Sequence, residues 1–155
     1  MKKTAAILLS LCLCALLCAC SGGNTAKPLS EVWSDIKEQI DFEDFLELSD
    51  ADALDRRYGI TEDMATEFAG GVNSSGTNQE EIVLVKATDD ESAKAIKEKL
   101  DKRYESKLAQ NKNYNPEQAA MTEKCKVERN GLYVSMIVSP EHETIEKIFR
   151  IGTGQ

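Results

Sequence analysis

Four cysteines, Cys12, Cys14, Cys18 and Cys20, stand in the stretch "LCLCALLCAC" near the start of the 155-residue chain. Thiols at C-x-C-x3-C-x-C spacing can hold a soft metal, pair as disulfides or accept a covalent modification. Their flanks decide between these chemistries. Lys2 and Lys3 precede an uncharged run from Ala5 to Ala19, and the sulfurs lie among Leu8, Leu9, Leu11, Leu13, Leu16 and Leu17. A metal-thiolate site needs a folded backbone that tolerates charge, whereas a basic start followed by a short apolar core is the pattern of a secretory signal peptide. About fifteen apolar residues fall short of the ~20 that span a bilayer core. Residues 1–19 are therefore expected to be an export signal that is cut off.

The cut has a preferred place. Leu17-Cys18-Ala19-Cys20 resembles the bacterial lipoprotein box: a large aliphatic residue, then a small residue directly before an acceptor cysteine. Cys12, Cys14 and Cys18 each follow a leucine, so Cys20, preceded by Ala19, alone fits. The resemblance implies cleavage between Ala19 and Cys20, a diacylglycerol thioether on Cys20, and a new amino group that is a second acceptor for a fatty acid such as palmitate. Each buried CH₂ contributes about 0.8 kcal/mol, and two or three chains hold a protein stably where one is marginal. The expected partner is thus the membrane, through covalent lipid at Cys20, with the rest of the chain on the extracytoplasmic face.

Removing residues 1–19 takes two lysines from 19 basic residues, leaving 17 against 27 acidic, and moves the net charge from −8 to −10. Such a surface repels nucleic acid and anionic lipid. The remaining 136 residues of the 155 suit one domain with a sizeable core. Only Cys125 of the five cysteines then stays as a thiol, so no internal disulfide is expected.

The other chemistry-bearing residues assemble into little. Gly71 to Thr77 has the G-x4-G spacing of a phosphate loop, but no lysine follows to reach a phosphate and Asn78 to Glu81 continues as turn. Asp50-x-Asp52 would start a calcium loop with Leu54 at its fifth position, Asp55 where glycine is needed and Thr61 where the bidentate glutamate belongs. Those acids read as caps and solvated residues. His142 is the one histidine, so neither a triad nor a histidine zinc site can be built. Cys125, sharing a strand face with Val127, reads as a small buried hydrophobe. Carboxylate catalysis needs only two acids, and no pair among the many stands out. Trp33, Tyr104, Tyr114 and Tyr133 could form an aromatic surface, but each reads more simply as packing. No catalytic residue, cofactor or metal is expected from this inventory.

Residues 20–28, with "SGGNTAKP", read as a short flexible tether. Residues 29–155 read as one domain. Ser30 would cap a first helix carrying Val32, Trp33, Ile36 and Ile40, and Ser49-x-x-Asp52 a second ending at Gly59. Ala65 to Val72 reads as a strand interrupted by Gly70-Gly71, and Glu81 to Ala87, "EIVLVKA", as a strand buried on both faces. Thr88-x-x-Glu91 opens a long helix through Ala93, Ile96, Leu100, Tyr104 and Leu108 with a charged, solvated face that includes Lys97, Asp101 and Arg103. A brief segment at Asn115-Pro116 follows. Cys125 to Arg129 and Leu132 to Val138 flank an Asn130-Gly131 type I′ turn, and Ser139-Pro140 caps a last helix with Ile145, Ile148 and Phe149. The expected fold is α+β in the order α-α-β-β-α-β-β-α, an antiparallel sheet of about four strands with helices mainly on one face.

"YGI" at Tyr58 to Ile60, "EEIVLVKATD" at Glu80 to Asp89, the charged helix and "NGLYVSMIVS" at Asn130 to Ser139, behind a lipoprotein box, resemble a family of small bacterial lipoproteins defined only by a domain of unknown function. The resemblance implies a Gram-positive surface location and supplies no active-site residues. The expected function is a non-enzymatic binding module at the cell envelope with a protein or peptide partner. A small carboxylate enzyme acting on polysaccharide or peptide, and a solute-binding accessory to a transporter, are the alternatives.

Overall fold

In the computed structural model residues 26–155 are described. The signal peptide at 1–19, the cleavage pair Ala19 and Cys20, the lipidation site Cys20 and most of the tether lie outside the described residues.

The centre is β3, Glu81–Ala87, whose β-branched run alternates between two apolar clusters. Val83, Val85 and Ala87 point to one side and Ile82 and Leu84 to the other. Around it the strands β1 (Phe45–Glu47), β2 (Ala65–Asn73), β4 (Lys126–Asn130) and β5 (Tyr133–Val138) form a five-stranded antiparallel sheet in the order β1-β2-β3-β5-β4. Five helices complete the described residues: α1 (Leu29–Gln39), α2 (Ala51–Tyr58), α3 (Asp90–Tyr114), α4 (Pro116–Thr122) and α5 (His142–Thr153).

The α+β class and the antiparallel sheet match the expectation from sequence, with differences in detail. Helices cover both faces rather than mainly one. Leu29, Val32, Trp33 and Ile36 of α1 and Ile145 and Phe149 of α5 bury Ile82, Leu84 and Ile137, while Leu54 of α2 and Ala93, Ile96 and Leu100 of α3 bury the opposite side. A strand with apolar residues at every position costs roughly 1.5–3 kcal/mol for each large side chain left in water, so both faces need a cover. Helices α1 and α5 approach closely because a Cβ at Gly152 would lie 2.7 Å from Val32 Cγ2. The fifth strand, β1, is only three residues long and sits among acids, which hid it from a periodicity argument.

Several caps sit one residue away from their expected place. Asp50 rather than Ser49 caps α2, accepting from the Ala53 N–H at 2.7 Å, and Asp89 rather than Thr88 caps α3 through the Ser92 N–H. Ser30 lies inside α1, which starts after Pro28 without a side-chain cap. Ser139 is fully buried with its hydroxyl engaged by Glu80 at 2.7 Å and by the Glu141 N–H, so α5 also begins without a side-chain cap on its own N-terminus. In the β4–β5 hairpin Asn130 pairs with Tyr133, leaving Gly131-Leu132 as the loop. Gly131 has φ +58° and Leu132 does not share a positive φ, the pattern of a type II′ rather than a type I′ turn. Gly59 ends α2 in the left-handed region, as its position in the sequence requires.

Candidate functional site

The residues singled out in the sequence do not converge on a catalytic centre. Asp50 is consumed as a helix cap, and Gly71 and Asn73 belong to β2, whose hairpin loop to β3 contains Ser74 to Thr77. His142 is half-buried at the start of α5 with Nδ1 3.2 Å from the Ser139 carbonyl oxygen. Cys125 is buried just before β4, its thiol donating to the Met121 carbonyl at 3.4 Å; burial pushes that thiol up from its ordinary range, away from reactivity. The four aromatic candidates separate. Tyr104 donates to the Thr122 carbonyl, Tyr133 meets Phe149 edge-on, Tyr114 is exposed, and Trp33 joins Phe42 and Phe45. Among the described residues no group of three or more His, Cys, Asp or Glu could hold a metal ion, and no helix is long and apolar enough to cross a membrane.

One cluster of buried charge went unseen in the sequence. Glu81, at the start of β3 and fully buried, receives Arg103 Nε at 3.0 Å and Arg103 Nη2 at 2.9 Å, a two-pronged pair, and Lys107 Nζ at 2.9 Å. Lys107 also donates to the Gln79 carbonyl at 3.1 Å. Burial pushes the Glu81 carboxyl up, but the hydrogen bonds and charges of Arg103 and Lys107 outweigh it and leave the group below the ordinary carboxylate range. Burial pulls Lys107 down, and the Glu81 charge does not fully restore it. The Tyr58 hydroxyl is buried beside this carboxylate without a well-formed hydrogen bond, and burial followed by the Glu81 charge raises its pKa far above normal. The geometry locks α2, α3 and the β2–β3 loop to the sheet. All of the cations' reach is directed inward, so the cluster is a clamp and offers no free acid or base.

The second feature is open to solvent. After α1 the chain passes Phe42 and turns at Asp44, whose φ of +53° an aspartate tolerates. The corner is held by Asn73 Nδ2 on the Glu43 carbonyl and by the Ser74 N–H and hydroxyl on the Asp44 carbonyl. Strand β1 then forms one edge of the sheet. Gly71 makes this possible, since a Cβ there would lie 2.7 Å from the Phe45 ring and 2.8 Å from the Leu46 carbonyl oxygen. Phe45 folds over toward Trp33 and Phe42, with ring centroids 6.2 and 4.6 Å away, and Trp33 and Phe42 stack at 5.3 Å. Trp33, Lys37, Ile40, Phe42, Phe45 and Glu47 line a cleft of about 190 Å³, room for one or two side chains rather than a whole metabolite. Trp33 is only 5% exposed and its indole N–H has no partner. Leu46, on the other side of β1, is 57% exposed.

At the opposite edge, formed by β4, the charges are paired with one another. The cleft at β4 is lined by Lys97, Glu128, Arg129 and Arg150, yet Lys97 pairs with Asp101, Arg129 with Asp90, and Glu128 with Arg150.

A five-stranded antiparallel sheet wrapped by helices, with a clamped interior and one aromatic edge, defines a small α+β domain. Comparison with known families gives this domain its place. The chain matches the family described as "Domain of unknown function (DUF4358)" over residues 38–139, and it belongs to that family. The matched stretch contains every strand and the Glu81, Arg103 and Lys107 clamp, while α1 up to Lys37, including Trp33, and α5 lie outside it. No curated protein and no solved structure matches the chain.

Proposed function

We propose that the protein is a lipid-anchored, non-enzymatic interaction module on the extracytoplasmic face of the cell membrane, engaging an envelope protein or peptide through the β1 edge. The observation that carries the binding half is the union at one place of an unpaired sheet edge, an aromatic cleft and an exposed Leu46. Strand β1 is short and set among acids, which blunts it against unselected pairing, while an aromatic cluster beside exposed edge backbone favours a selected partner. The anchoring half rests on Ala19-Cys20 in its apolar setting. It also accords with the start of the folded domain: the Lys27 N–H donates to the Gly152 carbonyl at 2.7 Å, pinning the chain seven residues after Cys20. At ~3.5 Å per residue the domain would stay within about 25 Å of the lipid.

Each half has its own test. Metabolic labelling with an alkyne fatty acid should tag the wild-type protein and not Cys20→Ala, which should accumulate as an uncut precursor or be released; equal labelling of both removes the anchor. A photo-crosslinking residue at position 42, compared with one at position 56 in α2, should trap a defined envelope partner only from the first position. Equal yields from both positions would remove the edge as the binding surface.

A further inference from the structure

We infer that the partner is an extended, basic polypeptide segment that adds to the sheet as a sixth strand along β1, placing an aliphatic side chain in the Trp33, Phe42 and Phe45 cleft. This rests on the proposed binding role of the β1 edge and names what that edge takes. Backbone directions give the first support. The Asp44 carbonyl accepts from the Ser74 N–H, and the Leu48 N–H donates to the Gly70 carbonyl. In an antiparallel ladder residues alternate between facing the partner and facing away. Asp44, Leu46 and Leu48 therefore face β2, and the N–H and C=O groups of Phe45 and Glu47 face outward. These are the groups an incoming strand uses, and their side chains point to the same face as the cleft.

Charge selects the kind of strand. From Asp41 to Asp55 the chain contains no basic residue. Asp41, Glu43, Asp44 and Glu47 are exposed around the edge, and among the described residues only Glu47 has an ion-pair partner, Lys37 at 2.7 Å. An antiparallel second copy would set these acids against their own kind, which is unfavourable at cross-strand distances. A segment with a basic, an aliphatic and a basic residue at every second position carries all three on the cleft face: cations beside Glu47 and the acids that precede β1, and an aliphatic side chain in the cleft. Trp33, Phe42 and Phe45 line a cleft with room for one or two side chains.

Trp33 is the only tryptophan in the chain, so its emission reports the cleft directly. The full-length acylated protein in detergent micelles is titrated with a capped pentapeptide, Lys-Ser-Val-Ser-Lys, whose charged and aliphatic side chains share one face when extended, with Glu-Ser-Val-Ser-Glu as control. The lysine peptide should shift Trp33 emission and slow hydrogen exchange at the Phe45 and Glu47 amides, and its affinity should fall about tenfold from low to high salt. Glu43→Lys with Glu47→Lys, checked for folding by an unchanged melt, should weaken the lysine peptide at least about tenfold and let the glutamate peptide bind. A near-UV spectrum of the variant guards against loss of fold. Three results overturn the inference: no binding of the lysine peptide, binding that survives charge reversal, or protection away from β1. Concentration-dependent self-association that protects β1 would also overturn it, in favour of a second copy. A partner crosslinked at position 42 alongside an inert lysine peptide removes the basic strand while leaving the interaction module standing.

Discussion

Replacing Glu81 by glutamine is the most severe single test of how this fold is held together. Glutamine keeps the length and one carbonyl acceptor but withdraws the only anion among Arg103, Lys107 and the Tyr58 hydroxyl. Removing one partner of a buried ion pair ordinarily costs about 3–5 kcal/mol, because the charge left behind has lost its solvation twice over. Arg103 is 36% exposed and can swing toward water, whereas Lys107 is 5% exposed and cannot. The expected loss is therefore at the lower end, about 3 kcal/mol. With a urea m-value near ~2 kcal/mol/M the midpoint should fall by roughly 1.5 M.

The pH dependence carries an independent sign. Glu81 has a depressed folded pKa, so its contribution is complete above the unfolded carboxylate range and is lost as pH falls through the folded value; the variant should lack that part of the acid transition. Lys107 has a depressed folded pKa as well, which means a penalty present below it and relieved as pH rises toward the unfolded lysine range. Without Glu81 that penalty grows, and Glu81→Gln should recover stability between neutral pH and about pH 10. A triple replacement, Glu81→Leu with Arg103→Met and Lys107→Met, should return to within about 1 kcal/mol of wild type. A midpoint shift under ~0.5 M for Glu81→Gln, or a triple variant weaker than the single one, would refute the clamp.

Two further substitutions probe the sheet and the thiol. Gly70→Ala would place a Cβ 2.0 Å from the Ile82 carbonyl oxygen at a backbone φ of +129°, and should destabilise the whole domain by about 3 kcal/mol or more in urea unfolding; Gly71→Ala, which meets Phe45 and Leu46, should instead mainly shift Trp33 emission with a smaller loss of midpoint. Cys125 should label with a thiol reagent only as fast as the domain opens, and Cys125→Ala should leave partner binding intact; fast labelling in the native state would contradict its burial at 5% exposure.

The Gly70-Gly71 pair shows what a pattern of types can and cannot say. In the sequence it weakens a strand, because glycine offers no side chain to pack. In the sheet it is what β2 needs to take neighbours at close range on both sides: Gly70 against Ile82, Gly71 under Phe45. Strand β3 was legible as buried on both faces, and that fact already requires two covering layers, which a one-sided arrangement of helices cannot supply. The long helix was legible through Leu108, and its fully buried apolar stripe of Ala93, Ile96 and Leu100 is regular up to Leu100. Beyond that the same buried face continues through Lys107 and Asn111 at seven and eleven residues' distance, polar types that a search for apolar period passes over.

That continuation has a consequence for how the domain divides its labour. The apolar clusters supply area, but area alone does not fix which turn of α3 meets the end of β3. Glu81 does, because Arg103 must approach it with two nitrogens at 2.9 and 3.0 Å while Lys107, one turn on, closes the remaining side at 2.9 Å. A slip of α3 by one residue would leave Glu81 and Lys107 buried and unpaired, a cost of several kcal/mol that an apolar seam would not impose. The clamp thus sets register on the α3 side of the sheet, and Asn111 on Thr122 at 3.1 Å extends it to α4. On the far side of the sheet the cover is apolar, its aromatic margin lies at an open edge, and Asp41, Glu43 and Asp44 beside that edge have no ion-pair partner among the described residues. Rigidity is concentrated where charges face inward, and in the proposed role this would keep the β1 edge presented without the sheet re-pairing.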